Sequence, residues 1–194
     1  MAVPEDPIGD ERRERLRLES ILGDVLPRFV SVPADDIDRA IVETQRRFVE
    51  ALDIDRSDLF SPGPGDDMVL SHSWHRPGAP PAELGLSAAR FLPWCLGRVR
   101  RGEEVIFASV RDLPPEAATD LEGIRQFGPR STVAFPLLIG GRPCGAVTFA
   151  AVRAERRWPD RIVERLRLVA SVFANALSRK GASEAVRESE SRLT

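Results

Sequence analysis

The stretch STVAFPLLIGGRPCGAVTFAA, residues 131–151, decides the fold. Residues 132–139 and 146–152 are apolar runs rich in β-branched and aromatic side chains, the composition of buried strands. Gly140-Gly141 between them suits a two-residue hairpin turn, whose backbone needs φ > 0. Arg142-Pro143 restarts the chain, and Gly145 lets another backbone approach the second strand closely. The expected product is a central hairpin that carries no catalytic residue.

Downstream, Trp158-Pro159-Asp160 opens the longest helix. Ile162, Leu166, Val169, Phe173 and Ala176 follow one another at intervals of 4, 3, 4 and 3, a heptad seam. Val163, Ala170 and Ala174 make a second, smaller-sided face. One helix with two apolar faces has two partners, so the seam is assigned to another copy of the chain and the smaller face to the sheet. The last residues, SEAVRESESRLT, are polar yet helix-forming. A helix over residues 158–193 would reach about 54 Å at ~1.5 Å per residue, which outruns a compact domain of this size. Residues 179–194 are therefore expected to be a helical connector to a further domain.

Upstream, residues 1–10 hold two prolines and no periodicity, and are expected to be a loose leader. A helix over 11–32 carries the stripe Leu18, Leu22, Val25 and Phe29, with Pro27 marking a kink or an end. A second helix, capped by Asp35 or Asp36, buries Ile37, Ile41, Phe48 and Leu52. Strands are expected at 56–61 and 68–75 around the turn SPGPGDD. After the stiff loop RPGAPP, Ser87 caps a helix ending at Gly102. A buried strand over 105–110 and a helix from Pro115 to Phe127, stopped by Gly128-Pro129, complete the order.

Whole-chain numbers exclude several functions. The 194 residues fit one domain with long flanking helices. A net charge of −2 without long like-charge blocks gives no case for nucleic acid or an anionic membrane. No apolar run is long enough to span a bilayer, and the N-terminus lacks a signal-peptide core. Two cysteines, Cys95 and Cys144, do not form a disulfide framework, so a cytoplasmic chain with reduced thiols is expected.

The element order resembles the GAF domain family over residues 35–178. The residues that carry the resemblance are VAFPL at 133–137, Gly140-Gly141, Gly145-Ala146-Val147 and the strand pair within 56–75. It implies an α+β fold: an antiparallel sheet of five to six strands with helices on both faces, flanked by long N- and C-terminal helices. It implies a sensory domain, itself not an enzyme, of a signalling protein, a histidine kinase with a PAS domain after the connector. The pocket would lie on the sheet face covered by the two middle helices. Candidates for lining it are His72, Trp74, Phe91, Trp94, Cys95, Phe107, Phe127 and Phe135; the alternative for each is ordinary core packing. Trp74 is placed on one strand face with His72, Leu70 and Met68.

The expected dimer contacts are Leu18, Leu22, Val25, Ile162, Leu166, Val169, Phe173 and Ala176. No metal site is expected, because His72 and His75 point to opposite faces of a strand. Some family members attach a bilin through a cysteine, but the matching positions here are Glu116 and Ala117, so a covalent bilin is not expected; the cofactor and any small-molecule ligand are left unnamed. The cyclic-nucleotide signature of other members is missing, and the cysteines do not match the family's methionine sulfoxide reductases. The alternatives to a sensor are a ligand-free dimerising spacer and a redox enzyme.

Overall fold

The computed structural model describes residues 7–192. Its element order is α1 (Pro7–Ser31), a 3-10 turn (Ala34–Asp36), α2 (Ile37–Ala51), β1 (Arg56–Pro62), β2 (Met68–His75), α3 (Ala88–Phe91), α4 (Pro93–Arg100), β3 (Val105–Phe107), α5 (Ala118–Phe127), β4 (Ser131–Ile139), β5 (Arg142–Ala151) and α6 (Asp160–Arg192). The five strands form one antiparallel sheet in the order β2-β1-β5-β4-β3. The fold is thus α+β, with α1, α2 and α6 on one face and α3 to α5 on the other.

The β4–β5 hairpin forms where the sequence places it. Gly140 and Gly141 turn at φ 57° and 78°, the primed turn that matches strand twist. Gly145 is required by space: a Cβ there would lie 2.5 Å from the Phe60 carbonyl oxygen of β1. It sits where the β4–β5 register slips between Pro136 and Leu138.

Four local expectations give way. The leader is not loose as far as Asp10, because α1 already starts at Pro7; residues 1–6 lie outside the described residues. Of the kink or end expected at Pro27, the end does not occur, since α1 runs to Ser31 with the proline inside it. The single helix expected after Ser87 is two, because Pro93 cannot continue the first and instead takes the first position of α4. The strand expected over 105–110 stops at Phe107, where Ser109 and Asp112 form a capping box around a 3-10 turn.

The heptad seam is the largest correction. Ile162, Leu166, Val169, Phe173 and Ala176 are at most 2% exposed within a single chain. Leu18, Leu22 and Val25 of α1 are buried in the same cluster, and Phe29 meets Phe173 with ring centroids 5.6 Å apart. The partners of the seam are α1, α2, β4 and β5 of the same molecule, so none of the eight is available to a second copy. Phe135 belongs to this cluster too, on the face away from α3 to α5.

Replacing Phe135 or Phe173 by alanine is expected to cost about 3–5 kcal/mol of stability in denaturant titrations, as for other buried phenylalanines. Val169→Glu, which the seam reading would have treated as a dimer-breaking change, is expected to unfold the chain. A folded Val169→Glu protein would contradict the packing.

Candidate ligand site

Alternation along the strands puts Arg56, Asp58 and Phe60 of β1 on the sheet face under α3 to α5. Thr132 and Ala134 of β4 and Thr148 and Ala150 of β5 share that face, and together they floor a cavity of about 80 Å³. Its roof is apolar, from Leu86, Leu92, Cys95, Ile124 and Phe127, with Val105 and Phe107 of β3 at the side.

The floor holds a buried ion pair. Arg56 Nε lies 2.8 Å from Asp58 Oδ2, and the two side chains are 5% and 6% exposed. Ser73 on β2 donates to Asp58 Oδ1 at 2.6 Å. Arg56 Nη1 donates to the carbonyls of Pro80 and Phe127, both at 3.2 Å. One guanidinium thus ties the loop after β2 and the C-terminus of α5 to the sheet, where a cation also meets the helix dipole favourably. Gly128 ends α5 at φ 84°, the left-handed stop expected of glycine there. Burial pushes the Asp58 carboxyl above its ordinary value, against the pull of Arg56 and the Ser73 hydroxyl. Thr132 Oγ1 is buried with no hydrogen-bond partner, and Thr148 Oγ1 reaches only the Asp58 carbonyl, at 3.5 Å.

A second buried carboxylate holds the roof. Asp120 of α5 is 0% exposed and accepts from the backbone N–H groups of Trp94 at 2.9 Å and Cys95 at 2.8 Å. It supplies from another helix the cap that Leu92 cannot give α4. Gly123 allows α5 to approach α3, since a Cβ there would lie 2.4 Å from the Phe91 carbonyl oxygen. Burial, with Asp120 beside it, raises the Cys95 thiol far above an ordinary cysteine. A thiol so shifted is a poor nucleophile and a poor redox sensor.

Three of the eight expected lining residues line this cavity: Cys95, Phe107 and Phe127. Phe91 does not line it, and meets Phe127 edge-on with ring centroids 5.4 Å apart. Trp94 packs against the Val105–Phe107 cluster with Arg98 over its ring. Phe135 is on the opposite face, as described. His72 and Trp74 are there as well, because β2 is bulged: Leu59 pairs with His72 but Phe60 pairs with Leu70, leaving Ser71 over. One extra residue inverts the facing of everything beyond it. Met68 and Leu70 therefore face the cavity side, while Trp74 packs on the α2 side and His72 reaches Asp38 of α2 at 3.0 Å.

Sequence reasoning missed Arg56, Asp58, Asp120 and the two threonines. A signal existed for the first two, since charges at i and i+2 of a strand must share one face. Asp120 gave none, because its spacing is equally that of an exposed helical position.

A sequence model of the GAF domain matches residues 36–177. The chain belongs to the GAF domain family. Among solved structures, it resembles the phycocyanobilin-bound GAF domain from a cyanobacterial phytochrome, at TM-score 0.70 and 17% identity over 86% of this chain and 96% of that one. It resembles the GAF domain of a phosphoenolpyruvate-protein phosphotransferase from Coxiella burnetii at TM-score 0.68 and 17% identity, over 88% and 98%. The blue-light absorbing form of the Thermosynechococcus elongatus PixJ GAF domain follows the same pattern, at TM-score 0.64 and 18% identity over 82% and 96%. No curated protein sequence matches the chain. GAF domains are sensory and regulatory modules of signalling proteins. No described helix is long and apolar enough to cross a membrane.

The residues of this GAF domain do not fit a covalently held bilin. The cavity of about 80 Å³ is far below the roughly 300–1,000 Å³ of pockets for drug-sized ligands. Its one lining thiol, Cys95, is shifted away from reactivity.

Replacing Arg56 or Asp58 singly, by methionine or leucine, is expected to cost about 3–5 kcal/mol, since each leaves an unpaired buried charge. The double replacement is expected to cost much less than the sum. Because the folded Asp58 carboxyl titrates above its unfolded value of 3.8, its contribution to stability falls as pH rises through that window. Asp58→Asn is expected to remove that slope from a stability-against-pH curve.

Proposed function

We propose that this GAF domain is the sensory module of a larger signal-transduction protein, and that the cavity over Arg56 and Asp58 takes a small, flat, mostly apolar ligand with one hydrogen-bonding group. The observation that carries the reading is the mismatch between walls and floor. The walls are aromatic and aliphatic, whereas the floor keeps a buried Thr132 hydroxyl without a partner. An unpaired buried hydroxyl is a cost that a ligand's polar group would remove. Size sets the class: an apolar cavity of about 150 Å³ accepts benzene, so about 80 Å³ admits a single small ring only if the roof yields slightly. The Pro80 and Phe127 carbonyls held by Arg56 mark where it would yield.

The parent protein is proposed to be a cytoplasmic sensor histidine kinase with a PAS domain downstream, addressed through α6. Support comes from family membership and from the length of α6 beyond its last buried residue, Ala176. A homodimer is proposed through the outer faces of α1 and α6, where Leu16, Val30 and Leu168 are 52%, 79% and 51% exposed. A second reading, a ligand-free dimerising spacer, is favoured by the small cavity volume.

A fragment library of single-ring molecules, screened by thermal shift, separates the two. A true ligand at 100-fold its dissociation constant is expected to add about 2.7 kcal/mol, and Ala134→Leu, which fills the cavity, is expected to abolish the effect. Silence across the library would favour the spacer.

A further inference from the structure

The two halves of α6 are held to the body by different forces. Up to Ala176 the helix is anchored by buried apolar side chains, eight in all. After Ala176 no described residue is buried. Leu177, partly buried, is the last side chain packed against the apolar cluster, and beyond it the contacts come from charged side chains. Arg179 Nη2 donates to the Phe29 carbonyl in the last turn of α1 at 2.5 Å. Lys180 Nζ lies 2.5 Å from Asp38 Oδ2, and Arg187 pairs with both oxygens of Asp35 at 2.7 and 3.1 Å. All three acceptors sit on the elbow that joins α1 to α2.

The docking is not a packed interface. An open groove of about 930 Å³ runs between α2 and α6, and Asp38, Val42, Leu177, Lys180 and Glu184 line it. The Lys180–Asp38 contact bridges this groove. The residue that follows is Gly181, and a Cβ at that position would meet nothing within 4 Å. Packing therefore does not require glycine there. Glycine inside a helix weakens it, and this weak point falls where apolar anchoring ends.

Asp38 has a second partner. Its other oxygen, Oδ1, meets His72 Nε2 at 3.0 Å, and His72 Nδ1 meets Ser71 Oγ, the bulged residue of β2, at 2.9 Å. One carboxylate is thus shared between an edge strand of the sheet and the outgoing half of α6.

We propose that α6 is a two-part lever: residues 160–177 are fixed to the sheet, and residues 178–192 form an arm that docks on the α1–α2 elbow through charged contacts and is released beyond Leu177, with Gly181 as the weak point of its helix and Asp38 tying the docked state to strand β2. Exposed charged contacts are individually weak and are screened by salt, which makes the docked state releasable while the anchored half stays in place. This deepens the sensory reading by naming the moving part, but arm docking is measurable with no ligand present. Its failure would leave ligand binding untouched.

Hydrogen exchange of the whole chain, followed by mass spectrometry, tests it. Exchange over residues 178–192 is expected to accelerate at least five-fold in Asp35→Asn/Asp38→Asn, and on raising salt from 0.05 to 0.5 M, with residues 162–176 unchanged. The charge-swapped pair Asp35→Arg/Arg187→Asp is expected to exchange at the wild-type rate, and Gly181→Ala to exchange more slowly. His72→Ala, which touches no arm residue, is expected to raise arm exchange about two-fold. Wild-type arm exchange in the Asp35/Asp38 variant, or equal acceleration in both halves, would overturn the lever; an unchanged rate in His72→Ala would overturn the tie to β2.

Discussion

The apolar seam of α6 is the contact on which the architecture rests. Leu166, Val169 and Phe173 are fully buried, and they close the layer formed by α1 and α2 over β4 and β5. Each large apolar side chain removed from water contributes about 1.5–3 kcal/mol, so the seam outweighs every surface ion pair in the chain. It also brings α1 into the domain. Through Phe29 and Phe173 the first long helix becomes part of the same core as the sheet, not a free-standing extension.

That seam shows what a periodicity can and cannot tell. Spacings of 4, 3, 4 and 3 define which side of a helix is apolar, and the structure agrees on every residue. They do not define the partner, because an interchain coiled coil and an intrachain helical layer ask for the same stripe. The hairpin and its turn were legible, since Gly140-Gly141 and its flanking runs leave little choice of partner; the register slip opposite Leu137 and the start of β5 at Arg142 were not. Strand β2 was legible as a strand but not in its facing. Ser71 is bulged by a non-local register with β1, and nothing in LSHSWH announces the slip. Pro93 was legible and overlooked: a proline six residues after an N-cap serine calls for two helices.

The cavity side is organised by charge buried for a geometric purpose. Arg56 and Asp58 face a layer of apolar side chains, where an isolated ion would be strongly disfavoured. Each is compensated by partners from other elements: Ser73 for the carboxylate, and the Pro80 and Phe127 carbonyls for the guanidinium. Asp120 repeats the device, satisfying two N–H groups of α4 from α5. Apolar packing alone would allow the short helices α3, α4 and α5 several arrangements. These directional contacts select one, and the cavity is the space they leave.

The two faces of the sheet meet at β2. Ser73 engages Asp58 on the cavity side, and one residue away His72 engages Asp38 on the helical side. An unbulged strand carrying the same residues, kept in the register of Met68 and Leu70, would point His72 toward the cavity and Ser73 toward α2, exchanging both contacts. The extra residue at Ser71 is thus what gives each face its polar partner. It lies on an edge strand, where bulges are tolerated because one side of the ladder is already unpaired. A displacement of β2 against β1 would then be felt at once by the buried pair under the cavity and by the carboxylate that α6 shares. No chain of intermediate side chains is needed between them, only the stiffness of two adjacent residues on one strand.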